Sequence, residues 1–141
     1  MSHLDPKCIF CAIVSGAAEA SVVHEDEHLI AFCDLNPINQ GHLLIAPKRH
    51  ATNLAELPET TGALMFPLAQ RLAARIRRSP IPADGVNLML ADGAAAGQSV
   101  FHIHLHVIPR MIEDGFDVHG GGRPATRSDL DQVARLLINE P

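Results

Sequence analysis

The chain has 141 residues, 47% hydrophobic and 19% charged, with a formal net charge of −5. That length suits one domain around one core, and the acidic balance argues against a surface built for nucleic acid, which is basic. The opening MSHLDPK has no apolar signal region and no apolar run approaches the ~18 residues of a membrane span, so a cytoplasmic protein without a membrane partner is expected.

Residues 20–24 and 28–33 read as two short strands across a charged turn at Glu25, Asp26 and Glu27. Asn36, Pro37, Asn39 and Gly41 mark a loop, and 42–47 (HLLIAP) reads as a third strand closed by Pro47. A helix is predicted over 58–78. Pro58 and Glu59 suit its first turn, and Leu64, Leu68, Leu72 and Ile76 form its apolar face. Pro67 is expected to kink this helix or delay its regular part. Residues 79–85 form a Pro/Gly loop. Strands follow at 86–91 and 100–108, joined by the small-residue loop 92–99. Residues 111–125, with five Gly or Pro, read as a loose connection. Ser128, Asp129 and Asp131 start a short helix whose buried stripe is Leu130, Val133, Ala134 and Leu137. Serial strands with two helices predict an α+β fold with a mostly antiparallel sheet.

The stretch FHIHLHVIPR at 101–110 carries the chemistry. On a strand, alternate side chains face opposite ways, so Phe101, Ile103, Leu105 and Val107 would face the core. His102, His104 and His106 would then stand in a row on the other face, about 7 Å apart. Such a row could hold one catalytic zinc. Alternatively, one unmetallated imidazole could attack phosphorus while its neighbours stabilise the phosphoryl oxygens. Separately, Cys8-x-x-Cys11 reads as a zinc half-site, a redox pair or two buried thiols; no βαβ pattern surrounds it to favour redox chemistry.

GQSVFHIHLHVIPR at 97–110 resembles the signature of the histidine-triad (HIT) family of nucleotide hydrolases and transferases. CIFCAIVSG at 8–16 and IAFCDLNPINQGHLLIAPKRH at 30–50 follow the same family's order. The resemblance covers residues 8–110. It implies one HIT-like domain over 1–141: a five-stranded, mostly antiparallel sheet with one long helix and a short C-terminal helix, paired into a homodimer. It makes His104 the nucleophile toward the α-phosphate of a purine nucleotide, through a nucleotidyl-histidine intermediate. It sets His106 against the phosphate, Gln98 near the scissile bridge, and Ser99 near the phosphate or leaving atom. Asp34 would accept both ribose hydroxyls, and Phe10 and Ile30 would line the base pocket.

The same resemblance completes a structural zinc site: Cys8 and Cys11 are joined by His50 and His102. One position departs from the family pattern, which has Asn where this chain has Ala91; Asn87 lies too far away to substitute without a register change. Ala91 keeps alive a second class of function, a nucleotide sensor or interaction module with little turnover. A metallohydrolase using His102, His104 and His106 on one zinc leaves Cys8 and Cys11 without a role. Cys33 reads as a small core residue. His42 is placed on the active-site wall, His24 and His28 at a solvated turn, His3 in a disordered start and His119 in the glycine loop. Lys48, Arg49 and Arg110 read as surface charges near the site.

Overall fold

The computed structural model describes residues 4–118 and 120–140; His3 and His119 fall outside them. The elements are α1 (Ile9–Ser15), β1 (Val22–Glu25), β2 (Leu29–Cys33), β3 (Leu43–Pro47), α2 (Glu59–Arg78), β4 (Gly85–Leu90), a 3-10 turn (Ala94–Ala96), β5 (Leu105–Arg110) and α3 (Arg127–Ile138). The strands form one antiparallel sheet in the order β1-β2-β3-β5-β4. This is the expected α+β architecture.

Strand alternation sorts the core into two layers. Leu29, Ala31, Leu43, Ile45 and Val107 face α2 and pack with Met65, Leu68, Ala69, Leu72 and Ile76. Ile30, Phe32, Leu44 and Ala46 face the other way and pack with Phe10 of α1. The reading of the sequence assigned no element to residues 8–16. The helix there is seven residues long, with Cys8 as its N-cap and Gly16 closing it in the left-handed conformation (φ 82°). Cysteine is not among the usual capping residues, so no start signal announced it.

Several expectations are corrected. Pro67 does not delay the regular part of α2, which begins at Glu59 and continues through it. Pro67 and Ala63, whose carbonyl the proline leaves without a donor, both lie on the exposed side, where water can serve that carbonyl. The buried stripe is rotated from the predicted one: Met65 is buried and Leu64 exposed. β5 begins at Leu105 rather than at residue 100. Pairing with β3 stops at Ile45↔Leu105, two residues short of Pro47, which has no N–H to extend the ladder. Ile103 N–H bonds instead to Ala51 O at 2.7 Å. Phe101, expected in the core, is consequently exposed.

The segment after β5 is not loose at its start. Asp114 accepts from Arg110 Nε at 2.7 Å, from Asn39 Nδ2 at 2.7 Å and from the N–H groups of Met111 and Phe116. Arg110 is thereby a half-buried strut rather than a free surface charge. It also donates to Asn87 Oδ1 at 2.6 Å and to Phe116 O. α3 is capped by Thr126, whose hydroxyl accepts from Asp129 N–H at 3.1 Å, and not by Ser128. Its predicted stripe is not buried; Leu130, Val133, Ala134 and Leu137 are all exposed on this single chain.

Candidate active site

Side chains of one parity on three neighbouring strands converge on one face. Phe32 pairs with Leu44, and Leu44 with His106. One step along, Asp34 N–H bonds to His42 O at 3.0 Å, which sets Asp34 beside His42. A cavity of about 240 Å³ opens on this face. Of the sequence-predicted residues, His104, His106, Ser99, Asp34 and Phe10 line it. Ile30 lies behind the wall in the Phe10–Phe32–Leu44 cluster, and Gln98 is turned away into its loop. The Gln98 amide is engaged at both ends: Oε1 accepts from Gly93 N–H at 2.8 Å and Nε2 donates to Thr52 O at 2.7 Å. Cys33 is half-buried and lines the same cavity. Lys48 is held by Glu25 at 2.8 Å, and no Lys or Arg is among the lining residues.

Hydrogen bonds fix the imidazole tautomers. His104 Nδ1 lies 2.7 Å from His102 O, and a carbonyl only accepts. Nδ1 therefore carries the proton and Nε2 is left as a bare lone pair. Burial lowers the pKa of His104 and so favours the neutral ring, an effect that the bond to His102 O partly offsets. His42 Nδ1 accepts from Ile38 N–H at 3.0 Å, so its proton is on Nε2. That Nε2–H donates to His106 Nδ1 at 2.9 Å, with Asp34 Oδ2 at 3.4 Å from the same nitrogen. His106 must then carry its own proton on Nε2, as a donor. Burial, with His104 and His42 as neighbours, pushes His106 down to about 4. Ring centroids of His104 and His106 are 4.9 Å apart, closer than the strand repeat implied, because the chain leaves the ladder at His104. Phe10 stands edge-on to His104 at 5.0 Å. His42 is the member of this set whose function the sequence left unassigned; its signal was its place two residues before Leu44, on the pocket face.

Ala91 is buried, and Asn87 is committed to Arg110 at 2.6 Å, so Asn87 does not stand in at that position.

A second cluster sits beside the first. The ligand atoms of Cys8, Cys11, His50 and His102 all lie within 4.8 Å of one another. Cys8 Sγ is 3.4 Å and Cys11 Sγ 3.6 Å from His102 Nδ1, and Cys11 Sγ is 3.3 Å from His50 Nδ1. Zn–S of about 2.3 Å and Zn–N of about 2.0–2.1 Å set tetrahedral S and N neighbours roughly 3.5 Å apart, so these four residues fit such an ion. Their surroundings agree. His102 Nε2–H donates to Pro47 O at 2.7 Å, which turns its bare Nδ1 toward the sulfurs. Cys11 N–H and Asp5 N–H donate to Cys8 Sγ and Cys11 Sγ at 3.4 and 3.2 Å. Burial raises the Cys11 thiol to about 11, a value that a bound cation would oppose.

The site thus combines a bare imidazole nitrogen beside an imidazole N–H donor with an adjacent Cys2His2 cluster whose ligand atoms could hold a metal ion. The chain belongs to the HIT domain family, whose profile matches residues 15–112. It is 38% identical over 130 residues to an uncharacterized HIT-like protein of Methanocaldococcus jannaschii, covering 92% of this chain and 98% of that protein. It is 37% identical over 113 residues to the adenylylsulfatase HINT3 of Arabidopsis thaliana, covering 80% of this chain and 57% of that one. Among solved structures, it superposes on a HIT family member from Bacillus subtilis with TM-score 0.88 at 34% identity, covering 96% and 97% of the two chains. For a Zn-bound histidine triad family protein from Mycobacterium smegmatis the values are 0.76, 40%, 95% and 98%.

Proposed function

We propose that the protein is a nucleotide hydrolase that cleaves a nucleoside phosphoramidate or a dinucleoside polyphosphate at the α-phosphate, with His104 as nucleophile. The observation that carries this reading is the bare Nε2 of His104 in a cavity that also presents Asp34. The adenylylsulfatase name of one relative supports it.

His104 Nε2 attacks the α-phosphorus. An N–P bond forms, and the P–N or P–O bond to the leaving group breaks with its electron pair, the leaving group taking up a proton. Water then attacks phosphorus, the N–P bond breaks, a nucleoside monophosphate departs, and His104 returns neutral. His106 Nε2–H donates to a nonbridging oxygen as charge builds there. His42 fixes that donor through its 2.9 Å bond. Asp34 accepts the ribose hydroxyls, and Phe10 packs on the base with Ile30 behind it. Ser99 meets the phosphate or leaving atom. Gln98 braces the loop that carries Ser99. A nucleotidyl transferase would use the same intermediate with another acceptor than water.

In this reading zinc is structural, held by Cys8, Cys11, His50 and His102, and ties α1 to the segment bearing the nucleophile. A single zinc on His102, His104 and His106 is disfavoured: His102 Nδ1 faces the thiols and His104 Nδ1 faces a carbonyl. One HIT-like domain spans the chain, and a homodimer would cover the exposed apolar residues of α3 and the outer edge of β4, where Leu88 and Met89 are exposed.

The test is chemical trapping. A substrate labelled with 32P at the α-phosphate should leave acid-labile label on the wild type and none on His104→Ala. Label retained by His104→Ala, or a wild type that binds nucleotide and never turns over, removes the hydrolase reading; the latter outcome would instead establish the sensor.

A further inference from the structure

The cavity has a charge pattern unusual for a pocket that takes a phosphate ester. Its lining holds two carboxylates, Asp34 and Glu19, and neither Lys nor Arg. A carboxylate facing a ligand selects hydrogen-bond donors and repels acceptors. Asp34 is explained by a pair of hydroxyls. Glu19 is not explained by anything in the hydrolysis, and it makes no hydrogen bond or ion pair among the described residues.

The sheet acts as a ruler for where Glu19 lies. One registered row runs Val22–Phe32–Leu44–His106 across β1, β2, β3 and β5. Neighbouring strands are about 4.8 Å apart, so the β1 end of the row is roughly 14 Å from the His106 end. Glu19 belongs to the β1 end. It lies two residues before Ser21, whose carbonyl accepts from Cys33 N–H at 3.0 Å, and the adjacent Ala20 packs with Phe10 and Phe32. The order along the cavity is therefore histidine pair, Asp34, apolar walls, then Glu19. That order, and that length, match an extended nucleoside monophosphate from phosphorus through ribose and base to the far edge of the base.

We infer that Glu19 reads the outer edge of the base and that the preferred substrates are guanine nucleotides. This rests on the nucleotide reading above. Guanine presents two adjacent donors there, N1–H and the 2-amino group, spaced to meet both oxygens of one carboxylate. Hypoxanthine keeps N1–H and loses the amino group. Adenine sets one N–H donor beside the N1 acceptor, and uracil flanks its single N–H with two carbonyls. Placing Glu19 at the far end also keeps its charge well away from the phosphate, where it would oppose binding.

The experiment is calorimetric binding of GMP, IMP and AMP to the full chain and to Glu19→Gln. Wild type should bind GMP about tenfold more tightly than AMP, with IMP between them. In Glu19→Gln the GMP-to-AMP ratio should fall to within about twofold of unity. Equal or tighter binding of AMP to the wild type overturns the assignment whatever the variant does. So does a guanine preference that Glu19→Gln leaves intact. If all three nucleotides bind with one affinity, the nucleotide reading stands and only the role of Glu19 falls; if none binds, both fall.

Discussion

Removing the metal should cost the protein stability far more than chemistry. The four ligand atoms come from three separate parts of the chain: the start of α1, the turn after β3, and the segment leading into β5. An ion bound only by the folded state stabilises it by RT ln(1 + [L]/Kd), about 4 kcal/mol at a thousandfold excess over Kd. For a chain of this size, 1 kcal/mol shifts the midpoint by roughly 3–5 °C, so chelation should lower Tm by about 12–20 °C. The assay is calorimetric unfolding with and without a zinc chelator, alongside metal analysis of the purified protein. One zinc per chain is expected in the wild type and none in a Cys8→Ser/Cys11→Ser double variant. Below the lowered midpoint, kcat of the chelated protein should stay within about tenfold, because the proposed zinc site does not include His104. An unchanged Tm with no zinc present refutes the structural site. An immediate loss of turnover in protein that is still folded refutes the bare nucleophile.

Three smaller predictions follow from particular contacts. His42→Leu removes the donor that sets the tautomer of His106 and should lower kcat by about 100-fold while leaving KM within a few-fold; an unchanged kcat would mean His42 only fills space. Leu68→Ala empties a fully buried position under the sheet and should cost about 2–5 kcal/mol in urea unfolding. Asp26→Asn weakens the turn in which Asp26 Oδ1 accepts from the N–H groups of His28 and Leu29, a loss of about 1 kcal/mol or less, since the site is partly exposed and screened. The bond from His24, and then those N–H groups, hold Asp26 down to about 2. Its unfolded value is about 3.9, so its contribution is complete above that pH and is lost as pH falls toward 2. The gap between wild type and variant should close over that interval.

The sheet was legible because burial on one or both faces leaves period-two and all-apolar runs, as in residues 29–33 and 43–47. What escaped was set by neighbours distant in sequence. α1 is capped by a cysteine that belongs to the cluster of Cys8, Cys11, His50 and His102. Phe101 obeyed the alternation in sequence and not in space, since its segment leaves the ladder. Arg110 and Asn87 look like independent surface residues until Asp114 and Phe116 are seen to fold back on them. The stripe of α3 is a true amphipathic signal without an inner partner, and a periodicity alone does not say whether its cover is the same chain. Tautomers are further out of reach: nothing in HIHLH tells which ring has a carbonyl at Nδ1.

His102 joins the two halves of the site through different atoms. Its ring offers Nδ1 to the cysteines, while its backbone carbonyl accepts the hydrogen bond from His104 Nδ1–H and so leaves Nε2, the proposed attacking nitrogen, bare. That carbonyl is held in place twice without any ion, by the bond from the His102 ring to Pro47 O and by the bond from Ile103 N–H to Ala51 O, both 2.7 Å. The early end of the β3 ladder is what frees residues 102–104 to make these bonds. A strand continued to residue 100 would pair Ile103 with Pro47, forfeit the bond to Ala51, and point the carbonyl of His102 along the ladder instead of at the next imidazole. Departure from regular structure is thus the feature that leaves Nε2 of His104 bare, as the proposed nucleophile requires, and the Cys2His2 corner adjoins a geometry that the backbone sets.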